Sequence, residues 1–188
     1  MGAEHQTKTK IKEAALRLFV EQGVSETTVR DLANAIGMAE GTLYRHYATK
    51  EELTRELSQE HYAAFADRIR NTAGTQESLR GKLRAIAKDA CRLFDTEPTL
   101  YRFLLLIQHE TLPRLPKGSA NPLAAVRSVI AEGIKQGEAK ITDPQLGAAM
   151  VLGLLIQPAL ALVHGSLSGP LSRYADYIAS ACERVIIR

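Results

Sequence analysis

The chain has 188 residues, of which 45% are hydrophobic, only 5% aromatic and none tryptophan. That length suits one mid-sized domain or two small ones, and a composition rich in alanine, leucine and arginine with little β-branched alternation favours helices. Two cysteines far apart, Cys91 and Cys182, exclude a disulfide scaffold and read as buried free thiols in a reducing compartment. The formal net charge is +3 with a pI near 8.9. Residues 1–60, however, hold eight Lys/Arg against ten Asp/Glu, so bulk charge gives no support for binding a polyanion, and any such argument rests on placement. The polar start of the chain carries no apolar signal segment, which makes a cytoplasmic location the expectation.

In chain order, residues 1–7 read as a frayed tail and residues 9–22 as a first helix, with Ile11, Ala14, Ala15, Leu18 and Phe19 at i, i+3, i+4, i+7, i+8 spacing. Gly23 stops it. Thr28 with Asp31 three residues on forms a capping-box-like start, followed by Val29, Leu32, Ala33 and Ile36 at helical spacing. Gly37 supplies the left-handed conformation that ends a helix. A second short helix carries Gly41-Thr42-Leu43-Tyr44-Arg45-His46-Tyr47. Leu43 and Tyr47 face inward, while Thr42, Tyr44, Arg45 and His46 lie to the sides and outside. Thr49 and Glu52 open another capping box, so a new helix starts near Lys50. Two short helices around a glycine turn make a helix-turn-helix, whose second helix enters the DNA major groove. Phe19, Leu32, Ile36, Leu43 and Tyr47 are the expected core of this small head, which must lean on the next helix.

That next helix covers residues 50–71, with Leu53, Leu57, His61, Phe65 and Ile69 down one side. Residues 76–96 follow as a helix with Leu79, Leu83, Ile86, Ala87, Ala90, Leu93 and Phe94 inward. Pro98 opens another at the favoured first position. Residues 112–120 read as a loop, Asn121-Pro122 and Asp143-Pro144 cap and open two more helices, and Pro170 starts the last. Residues 144–172 contain no formally charged residue. The stretch 146–163 reaches the length of a membrane span, but Gln157 and Pro158 interrupt it and no aromatic belt flanks it. It reads as a helix buried all round, facing its own core and a partner subunit. Small residues along it permit close approach, and the last helix offers Tyr177, Ile178, Ala181, Val185 and Ile186. The expectation is a two-fold homodimer through a four-helix interface that includes Leu154, Ala161, Tyr177, Ala181 and Val185.

The run from Gly37 through Tyr47, followed by Lys50-Glu51-Glu52-Leu53, resembles the signature of the TetR family of transcriptional regulators. The likeness covers the first third of the chain in motif detail. Ala39 stands where the family has a serine or threonine cap. The resemblance implies an all-α fold of about nine helices. Residues 1–52 would form a three-helix helix-turn-helix DNA-binding domain, and residues 53–188 a helical effector-binding and dimerisation domain. It implies base or phosphate contacts from Thr42, Tyr44 and His46, and phosphate contacts from Thr28 and Lys50. Arg45 can read a guanine edge bidentately. Glu40 at the helix start can accept from a cytosine amine or favour the helix dipole, and Gly41 belongs to the same contact set. Double-stranded operator DNA, a second copy of the chain and a small apolar or amphipathic effector are the expected partners, with repression released by the effector. Gln108, His109, Gln157 and His164 are candidates to orient that effector, with Phe65, Phe94, Tyr101 and Met150 as wall residues.

An enzyme would need a constellation that is not here. There is no H-E-x-x-H, G-x-S-x-G, P-loop or dinucleotide fingerprint, so no catalytic residue, cofactor or metal is expected. A helical adaptor binding another protein through the apolar last helices is the alternative, and it leaves the helix-turn-helix signature unused.

Overall fold

A computed structural model describes residues 2–107 and 118–187. Gln108 and His109 of the effector candidates lie outside them. Among the described residues the chain is all helical: α1 Gly2–Gln22, α2 Val29–Ala35, α3 Glu40–His46, α4 Lys50–Gly74, α5 Leu79–Thr96, α6 Pro98–Ile107, α7 Pro122–Lys135, α8 Pro144–Val163, a 3-10 turn Leu171–Tyr174, and α9 Ala175–Ile186. The all-α expectation therefore holds. Two compact units divide the chain. One holds residues up to His61 together with α6 from Thr99 onward; the other begins at Tyr62, runs to Pro98, and takes in α7, α8 and α9.

In the first unit, α1 corrects the frayed-tail expectation. It begins at Gly2, because no glycine or proline follows to stop it and its polar residues are good helix formers. Thr9 Oγ1 donates to the His5 carbonyl (3.0 Å) within this added turn. Ile11, Ala15 and Phe19 are fully buried, together with Leu32, Leu43, Tyr47, Leu53 and Leu57 from α2, α3 and α4. Ile36, placed in the core from its spacing, is only half-buried, because it is the C-cap residue of α2. One core residue comes from far along the sequence. Phe103 of α6 is fully buried, with its ring stacked on Phe19 at 6.3 Å between centroids. The His61 ring meets Phe103 edge-on at 6.0 Å.

In the second unit α5 packs on α9 and α7 on α8, with α8 against α9. Helix starts here are capped by side chains from their own and from distant segments. Ser78, Asn121 and Asp143 cap α5, α7 and α8. The Leu79 amide also donates to Glu138 Oε2 (2.8 Å). Asp95 accepts from the amides of Leu171 (2.7 Å) and Ser172 (3.0 Å), so a carboxylate on α5 stands in for a cap of the 3-10 turn. This turn is why α9 starts at Ala175 rather than at Pro170. Arg68 of α4 holds Asp89 of α5 through Nε (2.5 Å) and a terminal nitrogen (2.9 Å). Burial raises the Asp89 pKa, but Arg68 and Arg92 outweigh it and the carboxyl stays below its usual range. Cys91 and Cys182 are buried free thiols, pushed up by burial to about 12 and about 11, so both stay protonated and unreactive.

The α5–α7 crossing depends on Gly133, where an added Cβ would lie 2.4 Å from Leu79 Cδ2. Leu79 is 1% exposed. Gly133→Ala is expected to lose about 1–3 kcal/mol by overpacking, although alanine is intrinsically the better helix former by about 1 kcal/mol. A thermal melt equal to or above that of the parent protein would show that Leu79 finds another rotamer.

Within one chain α8 is buried along one side. Gly147, Ala148, Val151, Leu155 and Ala159 face inward, but Leu146 is 48% and Met150 42% exposed, and Gly153 and Gln157 are exposed as well. Packing against α7 and α9 covers one side of a helix that is apolar on every side, and leaves the other side open.

Candidate nucleic-acid interface

α2 begins with a complete capping box. The Asp31 amide donates to Thr28 Oγ1 (3.2 Å), and the Thr28 amide donates to Asp31 Oδ2 (2.9 Å). The Thr28 hydroxyl and amide hold the Asp31 carboxyl below its ordinary pKa. α2 ends at Gly37, whose φ of 65° only glycine adopts freely. The Gly37 amide donates to Asn34 O (3.1 Å) and the Met38 amide to Ala33 O (3.0 Å), which closes the turn as a Schellman-type cap. α3 then starts at Glu40 with Ala39 as an N-cap that supplies no side-chain hydrogen bond, as expected from alanine at that place.

On α3, Leu43 is buried and Tyr47 just after it is 1% exposed. Thr42 is half-buried, Arg45 is exposed and His46 half-buried, while Tyr44 is 50% exposed. A terminal nitrogen of Arg45 donates to Thr42 Oγ1 (3.1 Å). A Cβ on Gly41 would meet nothing within 4 Å, so packing inside the chain does not require glycine there. Behind α3, the Tyr47 hydroxyl donates to Glu56 Oε1 (3.3 Å), and Lys8 lies 5.5 Å from the Tyr47 ring centroid. Burial and the Glu56 charge push Tyr47 up to about 12. Lys12 bridges Glu56 (2.8 Å) and Glu60. Burial disfavours its charge, yet the two carboxylates outweigh that and raise its pKa. This α1–α4 network was not foreseen; the polar positions on one side of each helix were its only sequence trace.

α4 starts with half of the expected box: the Glu52 amide donates to Thr49 Oγ1 (3.1 Å), but Glu52 Oε2 accepts from the amide of Ala48, one residue before the cap (2.9 Å). Lys50, half-buried, behaves unlike a free surface cation. Its ammonium donates to the carbonyls of Val24 (2.8 Å), Ser25 (3.1 Å) and Thr27 (2.9 Å), which engages all three of its protons. A groove of about 380 Å³ runs beside it, lined by Ser25, Thr28, Tyr44, Thr49 and Lys50 among others. The hydroxyls of Thr28 and Tyr44 and the N-terminus of a 25-residue helix thus border one concavity. Glu51 also lines it.

The other candidates fall elsewhere. Phe65 is half-buried, and Phe94 (9%) and Tyr101 (3%) are buried. Met150, Gln157 and His164 are exposed, on the outward side or at the end of α8 rather than in an interior. Leu154, Ala161, Ala181 and Val185 are half-buried and Tyr177 is 80% exposed. Among the described residues no group of three His, Cys, Asp or Glu side chains is placed to hold a metal ion.

Two seven-residue helices meeting at a left-handed glycine, with an apolar core behind and a polar row in front, define a helix-turn-helix protein. Residues 11–57 match the family model described as bacterial regulatory proteins, tetR family. MftR of Mycobacterium tuberculosis, named for regulation of mycofactocin biosynthesis, is 32% identical over 154 residues, which cover 80% of this chain and 76% of that protein. The chain belongs to the TetR family. The HTH-type transcriptional repressor KstR2 of the same species is 35% identical over 88 residues, 45% of this chain and 44% of the repressor; the match thus spans less than half of that relative's length. The structure of the transcriptional regulator FadR from Bacillus subtilis in complex with stearoyl-CoA superposes with a TM-score of 0.76 at 20% identity, covering 93% of this chain and 96% of that one.

Proposed function

We propose that the protein is a cytoplasmic, sequence-specific transcriptional repressor that binds a near-palindromic operator as a two-fold dimer and releases it when an amphipathic small molecule occupies the second unit. The supporting observation is the outward row on α3, exposed Tyr44 and Arg45 flanked by half-buried Thr42 and His46, beside the groove at the α4 N-terminus. Such a row suits the edges of bases in a major groove, and the groove suits the flanking phosphate, with Tyr44 and the α4 amides as donors and Thr28, whose amide and hydroxyl donate to Asp31, at its edge. Arg45 reads a guanine; Glu40 accepts from a cytosine amine or favours the helix dipole, and Gly41, with no side chain, lets the helix approach closely. The boundary of the DNA-binding domain, set at 52 from sequence, we extend to include α4 as far as His61 and α6 beyond Pro98, following the compact unit. The exposed side of α8 (Leu146, Met150, Leu154, Ala161) and of α9 (Tyr177, Ala181, Val185) is the dimer face, which also accounts for a helix long and apolar enough to span a bilayer. We take the effector to be a long-chain acyl compound, the kind of ligand held by the FadR complex of the same fold, with Phe65 and Phe94 nearest its chain; Tyr101, a wall candidate from its spacing, belongs to the first unit.

The test is selection of bound duplexes from a random pool at two salt concentrations. Enrichment of a near-palindrome, with affinity falling steeply as salt rises, is the expected result. Arg45→Ala should then change the preference at one position of each half-site by about 1–3 kcal/mol. Uniform weakening across sequences would remove Arg45 from base reading, and no enrichment from protein refolded without ligand would remove the operator-binding reading itself.

A further inference from the structure

Tyr62 carries a feature of the second unit that packing does not explain. The residue is 3% exposed, and its hydroxyl oxygen is buried with no hydrogen-bond partner among the described residues. The buried positions that follow on the same face of α4 are Ala66, Ile69 and Ala73, at the spacing that stacks side chains along a helix. None has a polar side chain. Glu183 Oε1, also buried without a hydrogen bond, faces Arg84 at 2.7 Å as an ion pair; among the described residues no such charge acts on the Tyr62 oxygen, where burial alone is felt. A phenylalanine would fill the same space without stranding an oxygen away from water, which proteins rarely leave unsatisfied.

We infer that the Tyr62 hydroxyl is the polar anchor of the effector site, donating a hydrogen bond to the carbonyl oxygen of a long-chain acyl compound whose hydrocarbon runs along α4. The inference rests on the ligand-released repressor reading above and names the residue and the ligand atom it lacked. Three observations support it. Burial raises the Tyr62 pKa, so the group remains a donor. Phe65, three residues on, is half-buried and offers apolar surface beside the anchor. Tyr62 lies on the same continuous helix as the Lys50 contacts, so a ligand that engages the hydroxyl acts on an element whose first turn borders the proposed phosphate groove.

The experiment compares the full-length protein with Tyr62→Phe. Thermal melts are taken without ligand, and binding to the selected operator is followed while stearoyl-CoA or stearate is added. Without ligand, the variant is expected to melt at the same or a higher temperature and to bind operator equally. Its apparent affinity for the acyl ligand is expected to fall tenfold or more. A loss seen with both compounds assigns the contact to the shared carbonyl, and a loss with stearoyl-CoA alone assigns it to the thioester. A lower melting temperature without ligand would show that the hydroxyl is already satisfied inside the protein and would overturn the inference. So would unchanged acyl affinity in a protein whose operator is still released, which leaves the repressor reading standing. If the parent protein binds operator but neither acyl compound, the acyl effector and its anchor both fall.

Discussion

Phe103→Ala is expected to remove about 3–5 kcal/mol of stability and to abolish operator binding with it. The residue sits on α6, well outside the helix-turn-helix in sequence, yet it is fully buried in the same compact unit. It stacks on Phe19 at an interplanar angle of 17° and receives the edge of His61, so the alanine loses both buried area and the aromatic pairings. α2 and α3 are seven residues each, far below the length at which an isolated helix holds in water. Their geometry therefore depends on the core behind them. At about 2–4 °C per kcal/mol for a chain of this size, the melting temperature should fall by roughly 6–20 °C. Leu106, three residues on and 47% exposed, is the control: Leu106→Ala should leave stability and binding nearly unchanged. A Phe103→Ala protein that melts within about 1 kcal/mol of the parent would mean the head folds without α6.

Lys50→Met should weaken binding to every duplex alike, by tenfold or more, and lower the stability of the head. The ammonium is committed to three carbonyls of the α1–α2 connection, and hydrogen bonds to a charged donor contribute about 1.5–3 kcal/mol. Losing it frees the turn that carries Thr28 from the first turn of α4, and the proposed phosphate groove lies between them. This makes Lys50 a positioning residue, and salt dependence separates that role from direct contact. If Lys50 touched phosphate, its loss would shallow the slope of log K against log salt by about one and leave the melting temperature alone. If it is a clamp, the melt shifts down and the slope is kept. Lys50→Arg should recover little, since a planar fork does not reproduce three convergent ammonium bonds.

Much of the architecture was legible because it is written in local chemistry. The capping pairs Thr28/Asp31 and Thr49/Glu52, the glycine at 37, and the prolines opening α6, α7 and α8 each act within one turn of the chain, so neighbouring residues suffice to read them. The outward row Thr42, Tyr44, Arg45 and His46 followed from the same logic, because a seven-residue helix with Leu43 buried has only one way to face. The N-terminal extent of α1 was missed because polarity alone cannot separate a frayed tail from a solvated helix.

What the sequence determined by itself, then, is the family, the order of the helices and the face of α3 that meets solvent. Tertiary structure alone decided that Phe103 completes the head, that Lys50 spends its protons on backbone carbonyls, and that Tyr62 strands a hydroxyl. It also decided which side of α8 stays uncovered, since a helix apolar on every side has no periodicity to read. In each case the deciding partner is distant in sequence or is the side of a helix left without one, and spacing along a chain does not encode which distant surfaces meet.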